Sequence, residues 1–343
     1  MTGSISRRTF IATAAAASAI GAPAIALSQP KIRWRAQSMW SASETTYKAF
    51  EDFCKRVGAA TGGRLEIQPF SAGAVVGVFE TLDAVSAGVL DAQSTAPVYW
   101  SGKDPGFSVI GDLNFAYQHP WQAEAWYYHR GGLDMLREAY ARYNVYPVGV
   151  SWWGQEALVS KKPLKTTDDF KGLKVRTPQG MFAEIISKLG ASIIVVPGGE
   201  VYSALDKGVV DAADWATESM NHRMGFFEVA KTSIRIGHSM PSQEFAVNKA
   251  KWDALPADLK ATVSSCVREW CWDQVQRIAV EDTDALTQIR GKGAAAGTLD
   301  EAEIGKMRAL AQKTWEDWSK KTPLAKKAYD SQIAWLKALG VLA

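Results

Sequence analysis

The chain of 343 residues is poor in the side chains that enzymes most often use to bind metals or to form covalent bonds. It has only three cysteines and four histidines, and the histidines are scattered without the spacing of metal ligands. Cys266 and Cys271 lie five positions apart in a helical pattern and so point in different directions, while Cys54 stands alone. We predict three buried cysteines without a disulfide.

Signature motifs of catalysis and nucleotide binding are also missing. The sequence contains no G-x-S-x-G, no H-E-x-x-H, no Walker loop and no G-x-G-x-x-G after a strand. The segment PGG at 197–199 could bind an anion on free N–H groups, or it could be a plain turn. Binding is therefore favoured over catalysis.

Charge of one sign is not in excess either. The chain has 39 Lys and Arg against 36 Asp and Glu. If Arg7 and Arg8 leave with a cleaved leader, the remaining chain is almost neutral. Such a balance offers no footprint for nucleic acid.

The N-terminus carries the pattern of an export signal. SRRTFI at 6–11 precedes an alanine-rich run without charges, and Ala24 and Ala26 have the spacing of a signal-peptidase site. We predict that residues 1–26 are a twin-arginine signal peptide and that the protein is periplasmic. The run is short and weakly apolar for a membrane span, and no other stretch is long and apolar enough.

What the sequence does have is tryptophan, fourteen in all. Five of them stand where strands are predicted to end: Trp40, Trp100, Trp152, Trp153 and Trp215. Indoles at such positions can wall a small pocket and exclude water from it. We expect most of the fourteen to serve core packing and the remainder to line a binding site.

An internal echo indicates two similar α/β lobes. VSAGVLDAQS at 85–94 and LDKGVVDAAD at 205–214 share a helix end, a glycine, an apolar pair and Asp-Ala before a strand. Gly88 and Gly208 fit the left-handed position that ends a helix. Strand-helix-strand patterns in both halves predict parallel sheets, with a ligand cleft beyond the strand ends.

The predicted domains follow from these patterns. Residues 27–150 mainly form the first lobe, residues 151–250 mainly the second, and residues 251–343 a helical C-terminal region. The C-terminal helices, which carry Trp315, Trp318 and Trp335 on apolar faces, could pack on the lobes or extend to a second subunit. The sequence leaves both arrangements open.

Arg176 is the candidate binding residue that the sequence itself singles out. In KVRTPQG at 174–180 it lies on a short strand with no acidic residue within three positions on either side. A guanidinium matches a carboxylate in two parallel hydrogen bonds. An arginine that faces a cleft without a protein acid is suited to an anionic ligand.

Several segments together resemble one protein family. They are GRLEIQPFSAGAVVGVFETLDAVSAGVLDA, DFKGLKVRTPQG, LGASIIVVPGGEVYSALDKGVVDAADW and VNKAKWDALP. They look like the DctP-type substrate-binding proteins of TRAP transporters, especially the branch that binds α-keto acids, lactate and similar monocarboxylates. The resemblance implies a two-lobed periplasmic binding protein that is not an enzyme and that delivers a small organic acid to TRAP membrane permease subunits. A homodimer through the C-terminal helices is also implied.

The resemblance assigns roles to particular residues. Arg176 would bind the ligand carboxylate. Trp40 and Trp153 are predicted to bind the ligand because they are tryptophans at predicted strand ends, not because of the resemblance. Gln155, Asp214 and Trp215 would bind the ligand together with a cation, Na⁺ or Ca²⁺, which accepts oxygen ligands.

This chain departs from the family pattern at two places. WATES at 215–219 brings Glu218 near the predicted cleft, and HSMP at 238–241 has Met240 where relatives have glutamate. Gln243 is predicted to supply the missing oxygen to the cation, and Glu218 to supply charge or to accept a hydrogen bond from the ligand.

Two other functions remain open from sequence. A periplasmic enzyme could use Asp214 and Glu218 as an acid-base pair, and the binding module of an ATP-driven transporter would show the same composition. A single arginine argues against a dicarboxylate ligand, unless Lys174 or Arg223 also reaches the cleft.

Overall fold

The computed structural model describes residues 31–291 and 293–342, so the predicted signal peptide lies outside the described residues. These residues form eleven strands: β1 Ile32–Ser38, β2 Leu65–Phe70, β3 Ala92–Thr95, β4 Val145–Ser151, β5 Ala157–Ser160, β6 Lys174–Arg176, β7 Ser192–Ile194, β8 Ala212–Ala216, β9 Thr232–Ile234, β10 Gln243–Asn248 and β11 Ala295–Gly297. They also form thirteen α-helices: α1 Thr45–Ala60, α2 Thr81–Ser86, α3 Pro105–Gly111, α4 Pro120–His129, α5 Gly132–Ala141, α6 Met181–Lys188, α7 Val201–Asp206, α8 Glu218–Arg223, α9 Phe226–Val229, α10 Lys249–Asp253, α11 Ala257–Gly291, α12 Glu301–Ser319 and α13 Pro323–Ala338. None of the helices in this part of the chain is both long and apolar enough to cross a membrane.

The strands form two sheets, one for each lobe. The first has the order β2-β1-β3-β10-β4 and the second β11-β9-β5-β8-β6-β7. The predicted parallel pairing holds for β2-β1-β3 and for β8-β6-β7. It is wrong for β10 and β5, which run antiparallel to both of their neighbours. These two strands follow crossings of the chain from one sheet to the other, and they enter the new sheet in the opposite direction.

Two of these crossings matter for the site. Residues 152–156 connect β4 in the first sheet to β5 in the second, and residues 235–242 return the chain from β9 to β10. The crossings touch each other, because the backbone N–H of Glu156 donates to the carbonyl of Ser239 at 2.9 Å. The chain therefore passes between the two sheets through two segments that lie side by side.

The internal echo is a true structural repeat. In each lobe a short 3₁₀ turn leads into a helix of six residues, α2 or α7, which ends before a glycine. Gly88 has φ of 78° and Gly208 has φ of 70°, as the sequence predicts for a left-handed helix end. The next strand, β3 or β8, then enters the middle of its sheet.

The C-terminal helices pack on the rest of the chain. Helix α11 contacts α1 and β4 of the first lobe and α8 of the second, while α12 and α13 pack against α3 and α6. The indole N–H groups of Trp315, Trp318 and Trp335 donate to Asn114, Glu184 and Gln122. These tryptophans therefore serve packing within one chain, and the homodimer stays a prediction that light scattering would test.

All three cysteines are buried and free, as the sequence predicts. Most tryptophans are also core residues. Trp100 donates to the hydroxyl of Tyr140, and Trp152 packs edge-on against Tyr127. Of the five tryptophans predicted at strand ends, these two have no part in the site described below.

The first lobe buries an acid that should make stability depend on pH. The Glu244 side chain on β10 accepts hydrogen bonds from Gln93 at 2.8 Å and Thr95 at 2.6 Å, and burial raises its pKa to about 8. Below pH 4.5 the group is protonated in both states, whereas between pH 4.5 and 8 it ionises only in the unfolded chain. Stability is therefore lost as the pH rises through this window.

We predict that Glu244→Gln removes this loss. The free energy of unfolding of the wild type, relative to the variant, should fall by about 1.4 kcal/mol per pH unit between pH 5 and 8. Urea titrations at several pH values measure it, with the exposed Glu200→Gln as the control that should follow the wild type. A constant difference across this range would contradict the prediction.

Candidate functional site

The candidate site is a small closed cavity between the two lobes. Its volume is about 20 Å³, and its walls come from the strand ends of both sheets and from both crossing segments. The lining residues are Met39, Trp40, Ala96, Val98, Tyr99, Trp153, Glu156, Arg176, Pro178, Trp215 and Pro241. A larger depression of about 640 Å³ lies between α1 and the β1–β2 edge and contains none of the predicted site residues.

Arg176 is the one cationic side chain among these lining residues. It ends β6, which lies between β7 and β8, and it is 1% exposed. Its Nε and Nη2 donate to the carbonyl of Val196 at 3.0 and 2.9 Å, and its Nη1 donates to the carbonyl of Asp214 at 2.5 Å. Burial lowers its pKa from the ordinary value, although an arginine stays charged in proteins.

The guanidinium of Arg176 has N–H donors that form no hydrogen bond within the described structure. A guanidinium carries five N–H donors, and three of those of Arg176 have acceptors, so one N–H on each terminal nitrogen remains. None of the ion pairs among the described residues includes Arg176. Two N–H groups on adjacent nitrogens are what a carboxylate accepts in a bidentate pair.

Three tryptophans wall the cavity. The rings of Trp40 and Trp153 meet edge to face with centroids 5.0 Å apart, and Trp215 meets Trp40 at 5.4 Å. Trp215 also lies beside the guanidinium, 5.2 Å from its ring centroid to Cζ of Arg176. Its buried indole N–H has no hydrogen-bond partner in the described structure, so it is available to a ligand oxygen.

The position of Trp215 depends on Gly198 in the PGG turn. A Cβ placed on Gly198 would lie 1.9 Å from the six-membered ring of Trp215, far inside van der Waals contact. The neighbouring Gly199 has open space at the same position. PGG is thus a turn into α7 whose first glycine gives room to the indole.

An acidic cluster lies beside the guanidinium. Ligand atoms of Glu156, Asp214 and His238 all lie within 4.8 Å of one another, and the three side chains are buried. Asp214 accepts a hydrogen bond from Thr177 at 3.0 Å and is hydrogen-bonded to Nε2 of His238 at 2.9 Å. Its carboxylate therefore points toward His238 and Thr177, while its backbone carbonyl accepts from Arg176.

The pKa values of the two carboxyl groups of this cluster shift in opposite directions, so that Glu156 holds a proton in preference to Asp214. Burial raises the pKa of Glu156 well above its ordinary value, and the charge of Asp214 adds to that rise. Burial also acts to raise the pKa of Asp214, but the interactions with His238, Glu156 and Arg176 together outweigh it and lower the pKa. Ionising one carboxyl group of such a pair opposes ionisation of the other.

The structure does not bring two of the predicted cation ligands to the cavity. The Gln155 amide donates to the carbonyls of Tyr117 and Gln118 at 3.3 and 3.2 Å, which turns it away from Arg176. The Gln243 amide is used by Trp40, Ser94 and Gln274. Glu156, the residue after Gln155, lines the cavity instead, and Gln243 positions the indole of Trp40.

Glu218 also lies outside the cavity, contrary to expectation. Its carboxylate pairs with Arg235 at 2.8 Å, while Asp214 pairs with His238, so the proposed acid-base pair of an enzyme has no geometric support. Met240 is buried and does not line the cavity, whereas its neighbour Pro241 does.

The two other candidate cations are engaged elsewhere. Nζ of Lys174 donates to the carbonyl of Gly208 at 2.6 Å, and Arg223 pairs with Glu281 at 3.0 Å. Neither residue lines the cavity. This leaves Arg176 as the cation for an anionic ligand.

Comparison with known proteins places the chain in a family. The model of the DctP family, described as bacterial extracellular solute-binding protein, family 7, matches residues 36–321. The chain belongs to this family. A monocarboxylate 2-oxoacid-binding periplasmic protein of Nostoc sp. is 30% identical over 314 residues, which cover 90% of this chain and 85% of that protein.

Solved structures agree with the two-lobed fold of this solute-binding protein. A TRAP transporter solute-binding protein from Bordetella bronchiseptica, a dimer with calcium and picolinate in one active site, matches with a TM-score of 0.86 and 28% identity over 91% of this chain and 93% of that one. A TRAP periplasmic solute-binding protein from Pseudoalteromonas atlantica with bound sodium and pyruvate gives 0.83 and 26% over 91% and 95%.

Two polar lining residues, Glu156 and Tyr99, were not predicted from sequence. Glu156 is adjacent to the predicted Gln155 and lines the cavity in its place. Tyr99 follows β3 and lies near Arg176, and burial raises its pKa to about 12. In the structural repeat β3 is equivalent to β8, which carries Trp215, and this equivalence is the signal that could have found Tyr99.

We predict that Gly198→Ala disturbs the site through Trp215. The added methyl group must displace the indole, and such overpacking costs about 1–3 kcal/mol of unfolding free energy. Chemical denaturation and near-UV circular dichroism measure both effects. Gly199→Ala, which adds the same methyl group in open space, should leave both signals at wild-type values. Equal behaviour of the two variants would show that Trp215 does not depend on Gly198.

Proposed function

We propose that this solute-binding protein captures a small monocarboxylate, a 2-oxo or 2-hydroxy acid, through a bidentate pair between Arg176 and the ligand carboxylate. The observation that carries the proposal is the buried guanidinium with one N–H left on each terminal nitrogen and no carboxylate paired with it in the described residues. An uncompensated buried charge is costly, so an anionic ligand that restores the pairing gains a large part of its binding free energy there.

The relatives support this ligand class. The Nostoc protein is named for monocarboxylate 2-oxoacids, and the Pseudoalteromonas structure holds pyruvate. The cavity suits a ligand of this class, because its aromatic walls limit access of water and Arg176 is the single cation that lines it. A second carboxylate on the ligand would have to be buried without a partner, which disfavours dicarboxylates.

Capture requires the lobes to part. A cavity of about 20 Å³ has room for about one water molecule, and even a three-carbon acid is larger. The walls come from both sheets and from the two crossings that join them, so opening at the crossings would admit the ligand and closing would desolvate it. The structure is then the closed form of a hinged binding protein.

The proposed setting is the periplasm, where the loaded protein would deliver its ligand to the membrane subunits of a TRAP permease. The family assignment and the predicted leader at residues 1–26 support this setting. No catalytic step is needed for such a role. Genes for small and large permease subunits beside this one would support the delivery step, and their absence would count against it.

We also propose a cation beside the ligand, held by Glu156 and Asp214. Their oxygens, together with a ligand carboxylate, are the donors that Na⁺ and Ca²⁺ accept, and two relatives contain calcium or sodium with their ligands. The cation would replace the proton that Glu156 holds. The predicted roles of Gln155 and Gln243 are not retained, whereas the Trp215 carbonyl stays a candidate ligand.

Arg176→Ala tests the carboxylate pair. Loss of a buried ion-pairing partner costs about 2–5 kcal/mol, so the affinity for pyruvate should fall by about 30-fold or more. Arg176→Lys should also bind weakly, because it keeps the charge but lacks the planar fork. Isothermal titration calorimetry measures both variants. Lys174→Ala, which removes an exposed cation two residues away on β6, is the matched control and should bind like the wild type.

Circular dichroism should show that the Arg176 variants remain folded. If folded Arg176→Ala binds pyruvate or lactate with unchanged affinity, the pair is not formed and the proposed ligand class loses its support.

Glu156→Gln tests the cation. Ligand affinity of the wild type should rise about tenfold or more in Na⁺ or Ca²⁺ compared with choline and a chelator, because the cation offsets the repulsion between the ligand and two carboxylates. The variant should lose this dependence. Glu218→Gln, which alters a buried acid outside the cavity, should keep it. Calorimetry in the three buffers decides, and equal wild-type affinity in all of them would exclude a bridging cation.

A further inference from the structure

A second small cavity adjoins the one that contains Arg176. Its volume is about 30 Å³, and the two cavities share Val98, Pro178 and Pro241 as walls. Val98 belongs to the first lobe and Pro178 to the second, since they follow β3 and β6. Parting of the lobes would separate these two walls and join the two cavities into one space.

The lining of the second cavity includes more polar side chains than the aromatic lining of the first. Several of its hydrogen-bonding groups are already used within the protein. The Thr177 hydroxyl donates to Asp214, and the Ser108 hydroxyl accepts from the backbone N–H of Met181 at 3.1 Å. Asp112, an acid that also lines this cavity, accepts fewer hydrogen bonds than its carboxyl group allows.

Asp112 has acceptor capacity to spare. Its Oδ2 accepts from Ser239 at 2.6 Å and from Asn114 at 2.7 Å, whereas its Oδ1 receives only a long bond of 3.3 Å from the backbone N–H of Met240. A carboxylate has about four acceptor positions. No lysine, arginine or histidine among the described residues forms an ion pair with it, and burial raises its pKa to about 7.

Arg176 therefore has free hydrogen-bond donors and Asp112 has free acceptor positions, so the two groups are complementary. Among the described residues, Arg176 forms no ion pair with an acidic side chain. Asp112 forms no ion pair with a basic side chain. We infer that Asp112 determines specificity at the far end of the ligand by accepting a hydrogen bond from a hydroxyl or ammonium group on its tail. The preferred ligands are then short monocarboxylates that carry such a donor, and acids with a plain apolar tail bind less tightly. This inference rests on the proposed function, because it takes the carboxylate to lie at Arg176.

The test compares three acids that differ only at the tail carbon. Lactate ends in a methyl group, glycerate in a hydroxyl and isoserine in an ammonium group, while pyruvate and hydroxypyruvate give the same comparison for 2-oxo acids. Calorimetry on the wild-type protein should show glycerate or isoserine, and hydroxypyruvate, binding about tenfold tighter than the methyl analogue, which is the effect of one hydrogen bond to a charged group. The isoserine and glycerate results separate an ammonium ligand from a hydroxyl ligand.

Asp112→Asn should reduce this preference and leave the affinity for lactate within about twofold. The exposed Asp168→Asn is the matched control and should keep the preference. If the methyl acids bind as tightly as the others to the wild type, or if Asp112→Asn keeps the preference, Asp112 has no such role, and the proposed function stands without it. If none of these acids binds, the proposed function itself fails. The wild-type comparison needs no variant, so it decides even if Asp112→Asn does not fold.

Discussion

The burial of one guanidinium is the constraint on which the site depends. Arg176 ends the middle strand of a parallel trio, so the segments that follow β7 and the strand β8 lie on either side of it. The carbonyls of Val196 and Asp214 accept three of its N–H groups from these two sides. This arrangement fixes the direction of the remaining donors before any ligand arrives, and such preorganisation reduces the entropy that binding must overcome.

The structural repeat shows what is special about this arginine. In the first lobe Gln37 occupies the place on β1 that Arg176 has on β6, and its amide bonds to Val76 as Arg176 bonds to Val196. The amide nitrogen and the amide oxygen of Gln37 both form hydrogen bonds with the loop at Val75 and Val76. The longer arginine forms the same anchor and still has N–H groups left for the cavity. The two lobes therefore share a scaffold, and at this equivalent position only the arginine has N–H donors beyond those that its loop and strand contacts use.

The sequence predicts the scaffold better than the side-chain cluster, for a physical reason. Glycines at helix ends, apolar alternation and an arginine without acidic neighbours are local signals, and they correctly indicate the two repeats with Gly88 and Gly208 and single out Arg176 as a cavity residue. Other features depend on how the chain crosses between the sheets. These are the antiparallel directions of β5 and β10, the presence of Glu156 rather than Gln155 in the cavity, and the ion pair of Glu218 with Arg235. A one-residue shift along an extended segment turns a different side chain inward, and the spacing of residues in the sequence does not reveal it.

The crossings also explain why Glu156, Asp214 and His238 lie together beside this cavity. Glu156 comes from one crossing and His238 from the other, whereas Asp214 lies on a strand of the second lobe. If the lobes close as proposed, closure would bring these groups together and withdraw them from water, so the closed state would carry a cost in desolvation and repulsion. An anionic ligand at Arg176, with a cation or a proton between the carboxyl groups, lowers that cost only in the closed state. Ligand binding and lobe closure would then be coupled through the same few residues, because a ligand can shift an equilibrium only by its difference in affinity for the two states.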